Sequence, residues 1–168
     1  MTDDTIEIAP ARAEDEIARI AELARDIWVD HYEPIIGLGQ VTYMLETFQS
    51  AEAIGAAIAA DEAQYFLIRS AGRDMGYLAF RIDPDALFLS KIYVLAAERG
   101  RGLGKRALGF VRDRAKAEGL DQITLTVNKN NTGAIAAYEA AGFRLTDDIV
   151  TDIGAGYVMD DYVMALQI

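Results

Sequence analysis

The sequence predicts a single mixed α/β domain over residues 1–168, and three observations carry that reading. The spacing of apolar residues changes along the chain from helical to strand-like and back, without internal repeats or low-complexity tracts. A glycine-rich basic segment, Arg99-Gly100-Arg101-Gly102-Leu103-Gly104-Lys105, stands between an apolar strand-like run and an amphipathic helix. A chain of 168 residues that is 52% hydrophobic and 26% charged suits one domain with a full core.

Residues 5–8 read as a short edge strand. From 14 to 28, Ile17, Ile20, Ala21, Leu23, Ala24, Ile27 and Trp28 recur at helical spacing, and Pro34 with the Gly37 and Gly39 pair is expected to interrupt this first helix. Shorter helices follow over 41–48 and 51–60. The period then changes: 64–69 and 75–82 flank Gly72 as a hairpin, and 86–95 form a third strand. Leu103, Ala107, Leu108, Val111 and Ala115 make one stripe of a helix that ends near Gly119. A strand over 122–127, a helix over 131–141 closed by Gly142, and final strands over 143–150 and 157–167 complete the order.

Composition excludes several kinds of chemistry. With no cysteine, disulfides, thiolate metal sites and cysteine nucleophiles are ruled out, and His31 alone cannot build a multi-histidine metal site. No metal is expected. No run approaches the ~20 apolar residues of a membrane span, and Met-Thr-Asp-Asp lacks the basic and apolar regions of a signal peptide, so a cytoplasmic protein without membrane partners is expected. A formal charge of −11 argues against nucleic acid. Its distribution is uneven: from Arg99 to Lys116 seven basic residues face only Asp113, which leaves this window near +6 and the remainder near −17. A small phosphorylated anion fits that window.

Alternating glycines let backbone approach a ligand closely, and the N–H groups opening a helix point at an anion. A nucleoside-triphosphate loop fails, because Arg106 follows Gly104-Lys105 and Arg99 occupies the place of the first glycine. Gly102-Leu103-Gly104-Lys105-Arg106-Ala107 matches the dinucleotide fingerprint by letter, but the next strand ends at Asn128 where a ribose-binding acid belongs. The third reading is Arg99-x-x-Gly102-x-Gly104 between a strand and a helix, followed downstream by Asn131-x-x-Ala134-x-x-x-Tyr138-x-x-x-Gly142-Phe143. Both segments resemble, in order, the conserved blocks of the GNAT superfamily of acetyl-CoA-dependent N-acetyltransferases, and the likeness covers about residues 87–145.

The resemblance implies a central, mostly antiparallel mixed sheet of six to seven strands, flanked by about four helices and splayed between strands 4 and 5. It implies that acetyl-CoA binds against the exposed edge of residues 89–95, with the Val94 backbone N–H polarising the thioester carbonyl. Arg99, Gly100, Arg101, Gly102, Leu103, Gly104 and Lys105 would hold the pyrophosphate, Asn131 would contact the cosubstrate, and Tyr138 would protonate the departing thiolate. The acceptor implied is a primary amine attacking directly in a ternary complex. Many members carry a glutamate on the strand before the loop, whereas this chain has Phe88-Leu89-Ser90-Lys91-Ile92-Tyr93 there. The base is thus unassigned, with His31, Glu33 and the late acids as candidates.

The early aromatic residues Trp28, His31, Tyr32 and Tyr43, with Met44, and the late group Asp152, Tyr157, Asp160, Asp161 and Tyr162 suit a cationic acceptor. Of these, Trp28, His31, Tyr32 and Tyr162 are taken as substrate-binding. The closing segment is loosely similar to bacterial polyamine-acetyltransferase-like members, so a small cationic amine is the expected acceptor. Peptide or protein amines, and an acetyl-CoA-binding sensor without turnover, are the alternatives. A homodimer is compatible with the open sheet.

Overall fold

The computed structural model describes residues 6–100 and 102–168; Thr5, the first residue of the expected first strand, and Arg101 lie outside the described residues. In chain order the elements are β1 (Ile6–Pro10), α1 (Glu14–Ile36), α2 (Leu38–Phe48), α3 (Ala51–Ala59), β2 (Gln64–Ser70), β3 (Arg73–Ile82), β4 (Leu87–Val94), α4 (Leu103–Ala117), β5 (Gln122–Asn128), α5 (Thr132–Ala140), β6 (Arg144–Gly154) and β7 (Tyr157–Gln167). The strands form one sheet in the order β1-β2-β3-β4-β5-β7-β6. All neighbours are antiparallel except β4 and β5.

Each face of the sheet buries its own apolar core. On one face, Leu103, Ala107, Val111 and Ala115 of α4 pack against Phe66, Leu78, Phe80, Leu87, Ile123 and Met164. This is the stripe read from the sequence, with Leu108 at its partly buried margin. On the other face Ile20, Leu23, Ile27 and Trp28 of α1 meet Val41, Ile54, Leu67 and Tyr77. Strand alternation makes this division possible, because neighbouring residues of β2 and β3 serve opposite cores.

Two boundaries differ instructively from the sequence reading. The first helix continues through Pro34 to Ile36. Proline here removes one donor near the end of the helix, while Tyr32 and Ile36 still pack on the core, and Gly37 at φ +84° closes the helix by donating to the Glu33 carbonyl at 2.9 Å. Likewise β6 runs on to Gly154 instead of ending near Val150, because β7 pairs with it as far as the Gly154–Tyr157 turn. As the sheet's edge, β6 leaves Leu145, Ile149 and Val150 exposed.

Gly76 fixes how closely β3 and β4 approach. Leu95 donates to the Met75 carbonyl, so the adjacent Gly76–Val94 position is a closely spaced pair without hydrogen bonds between its own members. A Cβ on Gly76 would collide with the Tyr93 carbonyl oxygen and lie 2.9 Å from Val94 Cα. Since backbone cannot yield as a flexible side chain does, Gly76→Ala is expected to destabilise the protein by about 2–3 kcal/mol. Chemical denaturation of the variant beside wild type measures this.

Candidate active site

The parallel β4–β5 pair is held only at Leu87–Ile123 and Phe88–Thr124. Beyond these the strands separate. The antiparallel alternation that aims Leu95 N–H at β3 turns the Ile92 and Val94 peptide groups the opposite way, into the opening. No described backbone group bonds to them there. The result is a length of strand edge inside a sheet, with the Val94 N–H available to an inserted acceptor.

At the mouth of this opening α4 begins without a side-chain cap and without an acid in its first turn. By contrast, α1 begins with Glu14, Asp15 and Glu16, and Glu16 accepts the Ala13 N–H at 2.9 Å, which lowers its pKa. The first intrahelical bond of α4 runs from Arg106 N–H to the Gly102 carbonyl, so the N–H groups of Leu103, Gly104 and Lys105 have no partner within the helix. Gly100 and Gly102 have φ of +82° and +78°, a conformation that explains their identity. Gly104 is different: it is helical, and a Cβ there would meet no neighbouring element within 4 Å. Its missing side chain leaves room beside the unpaired N–H groups. Arg99 and Lys105 flank this donor set, and the predicted contribution of Arg101 lies outside the described residues.

Deeper in the opening, phenols converge. Tyr32 from α1 and Tyr93 from β4 share a hydrogen bond at 3.1 Å, and Tyr138 from α5 is close enough to both for their ionisations to be coupled. Burial raises the pKa of all three, and Tyr32 adds to the rise at Tyr138. Asn131 is buried at the start of α5, yet its side chain does not cap the helix. Its Oδ1 instead lies 3.1 Å from Nε2 of His31, and its amide also lowers the Tyr32 pKa. Thus His31, Tyr32, Asn131 and Tyr138, read from separate parts of the sequence, come together.

Other candidates have different surroundings. Trp28 is 5% exposed, packed behind Tyr32 with ring centroids 5.3 Å apart and the rings tilted by 58°, and donates from Nε1 to Tyr77 at 3.2 Å. Tyr162 points to the opposite sheet face, where Lys129 Nζ lies 5.5 Å from its ring centre. Tyr43 donates to the Ile153 carbonyl at 2.6 Å and packs on Tyr157, tying α2 to the β6–β7 hairpin.

Residues 19–143 match the family model of the acetyltransferase (GNAT) family. The chain belongs to this family. Among curated relatives, a mycothiol acetyltransferase of Thermobispora bispora is 33% identical over 98 residues, covering 54% of this chain and 33% of the relative. An L-2,4-diaminobutyric acid acetyltransferase of Nocardia farcinica is 31% identical over 90 residues, covering 51% of this chain and 46% of the relative. The chain therefore spans less than half the length of these two curated relatives. Among solved structures, the PaiA N-acetyltransferase of Thermoplasma acidophilum in complex with coenzyme A has the same fold, with a TM-score of 0.82, 19% identity and coverage of 98% and 99% of the two chains.

Two further side chains of this GNAT chain carry charge against burial. Lys91 stands on the strand where many members carry a glutamate, at the register shift opposite Ala79, and forms no salt bridge with a described carboxylate. Burial and the Arg81 charge lower its pKa to about 8. The only sequence signal for this was a lysine inside an apolar strand. Asp161 on β7 is 4% exposed, and its pKa is raised to about 6 by burial and by Asp160, against the opposing influence of Lys129.

The lysine makes a stability prediction. Because the folded protein binds the Lys91 proton more weakly than the unfolded chain, stability rises as pH climbs from about 8 towards 10.5. Lys91→Met is expected to be more stable than wild type by about 1–3 kcal/mol at pH 7, with the difference shrinking over that window. Urea unfolding at pH 7 and pH 10 measures both.

Proposed function

We propose that this protein is an N-acetyltransferase that moves the acetyl group of acetyl-CoA to a primary amine of a small cationic molecule. The observation that carries this reading is the opening between β4 and β5, with unpaired α4 N–H groups at its mouth and Tyr138 within it. Family membership and the coenzyme A complex of the Thermoplasma protein support it. The diaminobutyrate acetyltransferase relative supports a small amine acceptor.

The residues divide the work by position. Leu103, Gly104 and Lys105 N–H groups hold the pyrophosphate, helped by the α4 dipole and the Arg99 and Lys105 charges. Ile92 and Val94 peptide groups bind the pantetheine arm as an added strand, and the Val94 N–H stabilises the oxyanion that forms on the thioester carbonyl. As the new C–N bond forms and the C–S bond breaks, Tyr138 gives its phenolic proton to sulfur. Its raised pKa keeps that proton in place throughout the neutral range.

Release of CoA thiol from acetyl-CoA in the presence of spermidine, L-2,4-diaminobutyrate, an aminoglycoside or a short peptide tests the reading. Saturable release with one amine class is the expected result. No release with any amine, despite acetyl-CoA binding, would favour the sensor alternative. Gly104→Val should keep its fold, since a Cβ at this position meets no neighbouring element within 4 Å, but weaken acetyl-CoA binding at least tenfold by calorimetry. Tyr138→Phe should lower kcat about 10²-fold and change acetyl-CoA affinity less than threefold in parallel kinetic and binding measurements.

A further inference from the structure

Asp161 is the only charged side chain among the described residues that is this deeply buried. In the middle of β7 it pairs with Asn128 on one side and Ile149 on the other. It alternates with Tyr162, which faces the α4 core, and shares its own face with Met159, which packs against the α1–α3 core. Its carboxylate therefore points towards α1. No described residue donates a hydrogen bond to it, and since Ser70 Oγ is the one fully buried polar side-chain atom among the described residues without a partner, the Asp161 carboxylate oxygens keep contact with solvent. Lys129 does not supply one: its ammonium is held by Asp160 at 2.8 Å and Asp148 at 3.1 Å.

The surroundings say what is missing. Facing Asp161 from α1 is Tyr32, whose pKa the Asp161 charge helps to raise, and Tyr32 links onward to Tyr93 and Tyr138. His31 lies beside Tyr32, with rings 4.9 Å apart, and bonds Asn131. Asp160 neighbours it on β7, Lys129 precedes α5, and β5 and β6 present the neutral Asn128 and Ile149. A cationic donor entering between α1 and β7 would meet an unpartnered carboxylate next to the phenols of the acetyl site.

We infer that Asp161 pairs with the ammonium group of the incoming amine and accepts the proton that its nitrogen loses during acetyl transfer. This rests on the acetyltransferase reading. The ammonium first releases one proton to solvent by way of Asp161, leaving a neutral amine. As nitrogen bonds to the acetyl carbon and the C–S bond breaks, its second proton passes to Asp161 and the Tyr138 proton passes to sulfur. Exchange with solvent returns both residues to their starting states, so ammonium and thioester become amide, thiol and one proton. Below a pH near 6 Asp161 is protonated and can neither pair with the ammonium nor take the proton.

The test is the pH dependence of kcat/KM from pH 5 to 8.5, with spermidine and L-2,4-diaminobutyrate as acceptors, in wild type, Asp161→Asn and Asp160→Asn. Wild type should lose activity on the acid side with an apparent pKa near 6. Asp161→Asn should lower kcat/KM about 10²- to 10³-fold, abolish that acid limb and leave the acetyl-CoA dissociation constant within threefold. Asp160→Asn, altered at an exposed neighbour whose charge raises the Asp161 pKa, should retain the limb but move it to lower pH. An active wild type whose acid limb and rate survive in Asp161→Asn overturns this inference alone. So does a wild-type profile flat from pH 5 to 8.5, which decides the matter even if Asp161→Asn does not fold. Wild type that binds acetyl-CoA and turns over neither amine overturns the acetyltransferase reading for these acceptors, and the role of Asp161 with it.

Discussion

Two residue pairs hold β4 to β5, and the arrangement of the site follows from how soon that pairing ends. A sheet normally satisfies the peptide groups of a central strand on both sides. Beyond Phe88, β4 is satisfied only by β3, and the peptide groups of Ile92 and Val94 face a gap. The gap persists because each half of the sheet has a separate anchor: β1 to β4 on one side, and β5, β7 and β6 on the other. Antiparallel pairing within each half holds the two edges apart while α4 and its core bridge them.

The same constraint sets the chemistry at the two ends of the opening. At its mouth, a helix start with neither side-chain cap nor acid presents unmatched donors. Further in, the half-buried phenols Tyr32, Tyr93 and Tyr138 form a neutral lining in which charge is costly. Lys91 and Asp161 are the exceptions. Each carries a charge where burial opposes it, and the two pKa values move towards neutrality from opposite directions.

Much of this was legible in the sequence because it is written in local patterns. The Arg99-x-x-Gly102-x-Gly104 loop, the α4 stripe and the Asn131–Tyr138 block need no distant partner to be recognised, and the structure brings the Asn131 and Tyr138 side chains into one opening. What depends on pairing across the chain was less visible. The length of α1 past Pro34 is decided by Tyr32 and Ile36 on the core, not by proline propensity. Tyr162 and Asp161 are adjacent letters, and only the register of β7 shows that one faces the α4 core and the other α1. No local pattern separates Asp161 from Asp160, although their burial is opposite.

Trp28 is the sole tryptophan of the chain, and its place behind Tyr32 has a practical consequence. The indole ring is 5.3 Å from Tyr32 and 5.7 Å from Tyr93, and its N–H is bonded to Tyr77. A buried indole in van der Waals reach of the phenol network is a built-in fluorophore with one location. Its emission colour and quenching follow the polarity and packing of this end of the opening without any label or engineered probe.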